Sequence, residues 1–183
     1  MLTLRRTVLL CFLLSLAGLL LAGYLSFLHL ALLRGDLLGG PLCGGAGSFL
    51  NCHAVVASRY GNLFGVPAAF WGVWGYLLLL TLSLIPWIFP DLRRQALTGA
   101  AALAALFLAM DAVLLGVMLV KVRTLCLLCA ALYGIHGLIL LTVKRDLGRR
   151  WGDLFKPMPT FWLGLLSPSA RAAGGLLVSV ALT

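Results

Sequence analysis

Charge is scarce in this sequence. Only 10% of its 183 residues are charged, against roughly a quarter in ordinary soluble domains. Hydrophobic residues make up 62%, and the mean hydropathy is +1.09. A soluble fold of this length could not hide so much apolar surface, so a soluble domain is excluded. Acidic residues are fewer still, five against fourteen basic ones, for a net charge of +9. That excess does not point to nucleic acid, because the basic residues fall in short segments between apolar runs, as membrane topology signals do. No RNA- or DNA-binding motif accompanies them. No internal repeat or low-complexity tract stands out. The apolar runs also lack the track of carboxylates or histidines that a cation path usually shows.

Long apolar runs are what the sequence does have. A helix needs about 20 apolar residues to cross the hydrocarbon core, and four segments qualify: Thr7 to Leu33, Val66 to Phe89, Ala96 to Val120, and Cys126 to Val143. The first follows Arg5 and Arg6, so a cleaved signal peptide competes with a span. Its length, and the want of a clean small-residue cleavage site, favour the span. A glycine-rich loop, Arg34 to Gly65, separates the first two spans. Pro90 ends the second, and Asp91 to Gln95 make a short turn into the third. The expected fold class is an all-α membrane protein, a bundle of four transmembrane helices with a cysteine-containing extracytoplasmic loop. Residues 1–145 form the transmembrane domain. Residues 146–183 are expected as a cytoplasmic linker and the start of a fifth helix. The last run, Ala172 to Thr183, gives only about 18 Å of helix at about 1.5 Å per residue. It reads as a fifth helix that has been cut, or as a segment lying at the interface.

Orientation follows from the Lys and Arg distribution. With the N-terminus inside, the inner segments hold Arg5, Arg6, Arg93, Arg94, Lys144, Arg145, Arg149, Arg150 and Lys156, while the outer segments hold Arg34, Arg59, Lys121 and Arg123. The asymmetry puts the N-terminus in the cytoplasm and the cysteine loop outside. Trp71 and Trp74, opening the second span, fit an interfacial aromatic belt.

Five cysteines are present. Cys11 lies within the first span and reads as a small buried hydrophobe. The other four fall on the outer side, where disulfides persist. Cys43 and Cys52 sit in the first loop, and Cys126 and Cys129 form a CLLC motif where the fourth helix begins. Two structural bridges, a metal site and redox catalysis all fit four such cysteines. A CxxC closes a very small ring and constrains the chain little. At a helix N-terminus the same spacing lowers a thiol pKa and favours thiolate chemistry. A second pair on the same face allows disulfide exchange in sequence. The glycines around Cys43 permit the motion a shuttle loop needs. Regeneration then requires a two-electron acceptor, and a membrane quinone is apolar and present where these cysteines sit.

The fourth helix carries a stripe: Cys126, Cys129, Tyr133, His136 and Leu140 follow a 3,4,3,4 spacing and share one face. Asp111 is the only acid deep in a span, and such residues are functional candidates by default. Counted from the outer helix ends, Asp111 and His136 both lie about 14–15 Å deep at about 1.5 Å per residue. They are expected to pair. A buried polar pair joining two helices is one use of that pairing, and the depth favours it; proton delivery to a quinone is the other. His29 and His53 read as interfacial or solvated.

Taken together, these residues resemble the vitamin K epoxide reductase family, in its bacterial form. The points of likeness are Cys43, Cys52, Ser58 six residues on, Tyr60 and Gly61, the Gly65–Val66–Pro67 entry to the second helix, Gly72, Tyr76, and the CLLC motif with Tyr133 four residues after Cys129. The resemblance covers roughly residues 7–145. It implies a four-helix bundle around a quinone, ubiquinone, menaquinone or a related molecule. Electrons would pass from a thioredoxin-like periplasmic protein or fused domain to the loop pair, then to the CxxC, then to the quinone. By position Cys43 resembles the cysteine that meets the partner and Cys52 the shuttle that attacks Cys126. Cys129 resembles the cysteine facing the quinone, and Ser58 and Tyr133 resemble pocket residues. Asp111 and His136 join the candidate cofactor-binding set. The implied location is a bacterial inner membrane, crossed several times. The competing function is a cysteine-based membrane metal-binding or transport protein, and a non-catalytic membrane subunit with structural disulfides is the third.

Overall fold

The computed structural model describes residues 2–35, 51–63 and 65–148. Helix α1 runs Leu2–Leu33, a short α2 runs Cys52–Ala57, and α3, α4 and α5 run Ala68–Ile88, Arg93–Val117 and Leu127–Leu147. Among the described residues four segments are long and apolar enough to cross a membrane: Arg5–Leu33, Ala68–Ile88, Pro90–Val122 and Leu127–Leu147. They close a ring in which α1 packs on α3 and α5, and α4 packs on α3 and α5. Large apolar side chains stay exposed on each of them, among them Leu20, Trp74, Leu106 and Leu138. Those faces are the lipid-facing ones. The protein is a multi-pass membrane bundle.

Inside lipid, each polar group left without a partner costs several kcal/mol. The hydroxyls in the spans are therefore turned back on their own helices. Ser15 Oγ donates to the Cys11 carbonyl at 2.7 Å and Ser26 Oγ to the Ala22 carbonyl at 2.8 Å. Thr81, Ser83 and Thr142 do the same four residues back. At the end of the bundle away from Cys126, the one expected inside and called inner on that expectation, Asp146 accepts from both Arg93 and Thr7, joining α5, α4 and α1. Cys11 is fully buried, as a small core hydrophobe would be.

Boundaries differ from the apolar runs in instructive ways. The third helix begins at Arg93, inside the segment expected as a turn, because the turn itself is the single 3₁₀ turn Pro90–Leu92. Pro86 is accommodated within α3 near its inner end. The fourth span continues to Leu147 and closes on Gly148, whose φ of 58° supplies the left-handed cap. Val66 and Pro67 belong to a small hairpin, not a helix, pairing with Leu63 and Asn62. The loop before it is not structureless either, since it contains α2 and the 3₁₀ turn Arg59–Gly61. The outer end of α4 passes into one π-helical turn, Met118–Val122, and Arg123, at φ 56°, turns the chain toward the CLLC motif. Single π turns are frequent at functional sites. Cys43, the linker beyond Gly148 and the partial fifth helix lie outside the described residues.

Candidate functional site

Cys126 is the N-cap of α5. Its backbone is extended (φ −90°, ψ 110°), and its sulfur accepts from the Cys129 N–H at 3.2 Å. Cys126 and Cys129 are joined by a disulfide, with Cα atoms 5.2 Å apart. The N-cap and first turn of one helix thus hold both sulfurs. The two sulfurs differ in surroundings. Cys126 is completely buried, whereas Cys129 is half-buried and lines a cavity.

The second cysteine helix is docked onto the first. The Asn51 N–H donates to the Leu125 carbonyl at 3.1 Å. Asn51 also caps α2, its side chain accepting from the Ala54 N–H at 3.0 Å. The residues bonded across the gap are thus the immediate predecessors of Cys52 and Cys126. Both cysteines are buried in the same core cluster.

The cavity has a volume of about 380 Å³ and reaches from the outer loops into the middle of the bundle. All four spans contribute to its wall, which is mostly apolar. Of the residues expected at the site, Cys129, Ser58, Tyr133, Asp111 and His136 all line it. Cys126 and Cys52 lie behind the wall. Ser58 closes α2, its N–H and Oγ both donating to the Val55 carbonyl, at 3.2 and 2.8 Å. Leu140, last in the sequence stripe, is buried in the core below the cavity. Asp111 and His136 do pair: Asp111 Oδ2 and His136 Nδ1 share a hydrogen bond at 2.7 Å.

Five aromatic or imidazole groups on the cavity wall, His29, Tyr60, Trp71, Tyr76 and Phe107, were not foreseen as part of this site. Tyr76 and Phe107 stack on His136, with ring centroids 4.7 and 5.2 Å away. The depth count that paired Asp111 with His136 reaches Tyr76 as well, and helix spacing from Asp111 reaches Phe107. Tyr76 lies eight residues into α3, about 12 Å at about 1.5 Å per residue. Phe107 lies four residues before Asp111, on the same face of α4. His29 corrects the sequence reading: it is buried and lines the cavity from α1, because the outer end of α1 is covered by α2. His53 is also not solvated. It is half-buried, and both ring nitrogens are shielded, with no hydrogen-bond partner among the described residues.

The model of the Vitamin K epoxide reductase family matches residues 9–143. The chain belongs to this family. The match begins in α1 and ends near the close of α5, so it takes in all four spans and the CLLC motif. Membership in the vitamin K epoxide reductase family implies oxidoreductase activity in the membrane, and the close Cys126–Cys129 pair supplies a dithiol–disulfide couple for it. Family members act with quinones in general. The cavity fits such a group on its own chemistry: an apolar slot between spans, with a redox sulfur and a few polar side chains on its wall.

Proposed function

We propose that the protein is a quinone-dependent thiol–disulfide oxidoreductase that takes electrons from a thioredoxin-like partner and so supports disulfide formation outside a bacterial cell membrane. One observation carries this reading: within a single CxxC, Cys129 lines the apolar cavity while Cys126 is buried behind it, in one cluster with Cys52. A relay needs that division, one sulfur for the acceptor and one for the donor.

Cys43 meets the partner's dithiol and, with Cys52, passes to the reduced form. The Cys52 thiolate attacks Cys126 Sγ, forming a Cys52–Cys126 bond and releasing Cys129 as the thiolate. Cys43 then resolves that bond, leaving Cys126 and Cys129 reduced and Cys43–Cys52 oxidised again. A quinone in the cavity would supply the two-electron, two-proton acceptor for the reduced CxxC, and Ser58, Tyr133, Asp111 and His136 would hold it there. The basic asymmetry of the loops sets the N-terminus in the cytoplasm. Residues 146–183 make the cytoplasmic link toward a fifth helix, with Asp146 and Leu147 still within α5.

The direct assay is quinone reduction by purified protein supplied with a reduced thioredoxin-like donor. Turnover that depends on both donor and quinone is expected. Protein that oxidises no donor, or oxidises it equally well without quinone, would contradict the proposal.

A further inference from the structure

The inner end of the cavity is built around one imidazole. His136 lies seven residues below Cys129 on α5, about 10 Å at about 1.5 Å per residue, and both line the same cavity. Its Nδ1 is bonded to Asp111 at 2.7 Å. Tyr76 stacks on the ring at an interplanar angle of 8° and Phe107 at 14°. Tyr76 is itself fixed, its hydroxyl donating to the Leu132 carbonyl at 2.8 Å.

Two glycines make room for these rings. A Cβ on Gly18 would come within 2.0 Å of the Tyr76 ring, and one on Gly75 within 2.4 Å of the Phe107 ring. Residues of α1, α3 and α4 therefore hold one side chain of α5 in one place. A histidine that only tied two helices together would be expected to satisfy both nitrogens in protein. Among the described residues His136 makes its one hydrogen bond through Nδ1 and none through Nε2, and the residue lines the cavity.

We infer that His136 is the proton donor to the inner oxygen of the quinone, with Asp111, Tyr76 and Phe107 as its positioning residues; this rests on the quinone reading above. With Asp111 as the acceptor from Nδ1–H, the ring's orientation is fixed and the proton to be transferred is the one on Nε2. The electron pair leaves the dithiol as the Cys126–Cys129 bond forms. One proton comes from the thiol of the pair that is still protonated. His136 Nε2 gives the other and is left as neutral imidazole. The proton lost when the first thiol ionised goes to water at the outer surface. His136 recovers one from water when the site empties. The sum is dithiol plus quinone to disulfide plus quinol.

The test uses the full chain with ¹⁵N-labelled histidine. Three histidines are present, so three imidazoles need assigning. A short-chain ubiquinone analogue should shift the Nε2 resonance of His136, and Asp111→Asn should move the Nδ1 resonance. In single-turnover oxidation of the prereduced protein, His136→Gln should slow disulfide formation by about 100-fold or more, the range for a positioned acid. Binding of the analogue, read by quenching of Trp71 on the cavity wall, should change only a few-fold. The spectrum of the unmodified protein needs no variant to fold. A bound analogue that leaves His136 unmoved, or a His136→Gln protein oxidised at the normal rate, overturns the proton-donor assignment alone. If the unmodified protein neither binds nor is oxidised by the analogue, the quinone reading itself fails, and this inference with it.

Discussion

The two halves of α4 show how one helix builds both a seal and a cavity. Its inner half presents Ala96, Leu97, Ala100, Ala101 and Ala104, each at most 2% exposed. Small side chains let neighbouring membrane helices approach closely, and Asp146 clasps Arg93 and Thr7 just beyond them. The outer half presents Phe107, Met110 and Leu114 instead, and the π turn beyond it Met118, all on the cavity wall. Larger residues there stand around a space and do not fill it. The cavity is therefore open toward the side that carries Cys129 and shut toward the side that carries Asp146. A pocket of this kind needs no separate domain, only a change of side-chain size along one helix.

The sharpest way to break the contrast is at the inner clasp. Asp146→Ala leaves Arg93 without its carboxylate in a mostly buried position, and such losses cost roughly 3–5 kcal/mol. A large drop in thermal unfolding temperature is expected, with quinone affinity per folded molecule unchanged. Next comes over-packing of the seal. Ala101→Leu puts a large side chain where none fits and should cost about 1–3 kcal/mol. Leu114→Met on the cavity wall should cost less than about 1.5 kcal/mol, as volume-conserving swaps do, while altering quinone affinity. Equal losses for the two would erase the distinction between seal and wall, and differential scanning calorimetry in lipid nanodiscs would detect it. The smallest effect on stability is expected from labelling probes on exposed arginines. Arg59→Cys should react with a membrane-impermeant maleimide added to intact cells, and Arg94→Cys should not. The reverse pattern would invert the bundle.

Much of this was legible before any coordinates. Four apolar runs gave four spans, because lipid demands length and apolarity and little else. Matched depth joined Asp111 to His136 for the same reason, since a helix rises evenly per residue. The losses came where structure depends on contact, not on run length. Helix α2 is six residues long, too short to show a period. The π turn at Met118–Val122 continues the apolar run of the helix before it, with no break in the sequence to mark it. The glycine-to-ring contacts of Gly18 with Tyr76 and Gly75 with Phe107 link different helices, and spacing along one chain cannot show them. His29 was read as interfacial from its nearness to a helix end, but the cover that buries it comes from α2.

The claim at the centre of this account is that the two sulfurs of the CxxC have different partners, Cys52 for Cys126 and the cavity for Cys129. The measurement that reaches it most directly is the cross-link formed by the Cys129→Ser protein under mild oxidation. Cys126 would then have no internal partner to expel Cys52. The account predicts that a Cys52–Cys126 disulfide accumulates, seen by mass spectrometry as a peptide pair joining α2 to the start of α5, while quinone reduction is lost. If Cys52 instead stays bonded to Cys43 and Cys126 is recovered as a thiol, the two pairs do not exchange, and the relay is contradicted.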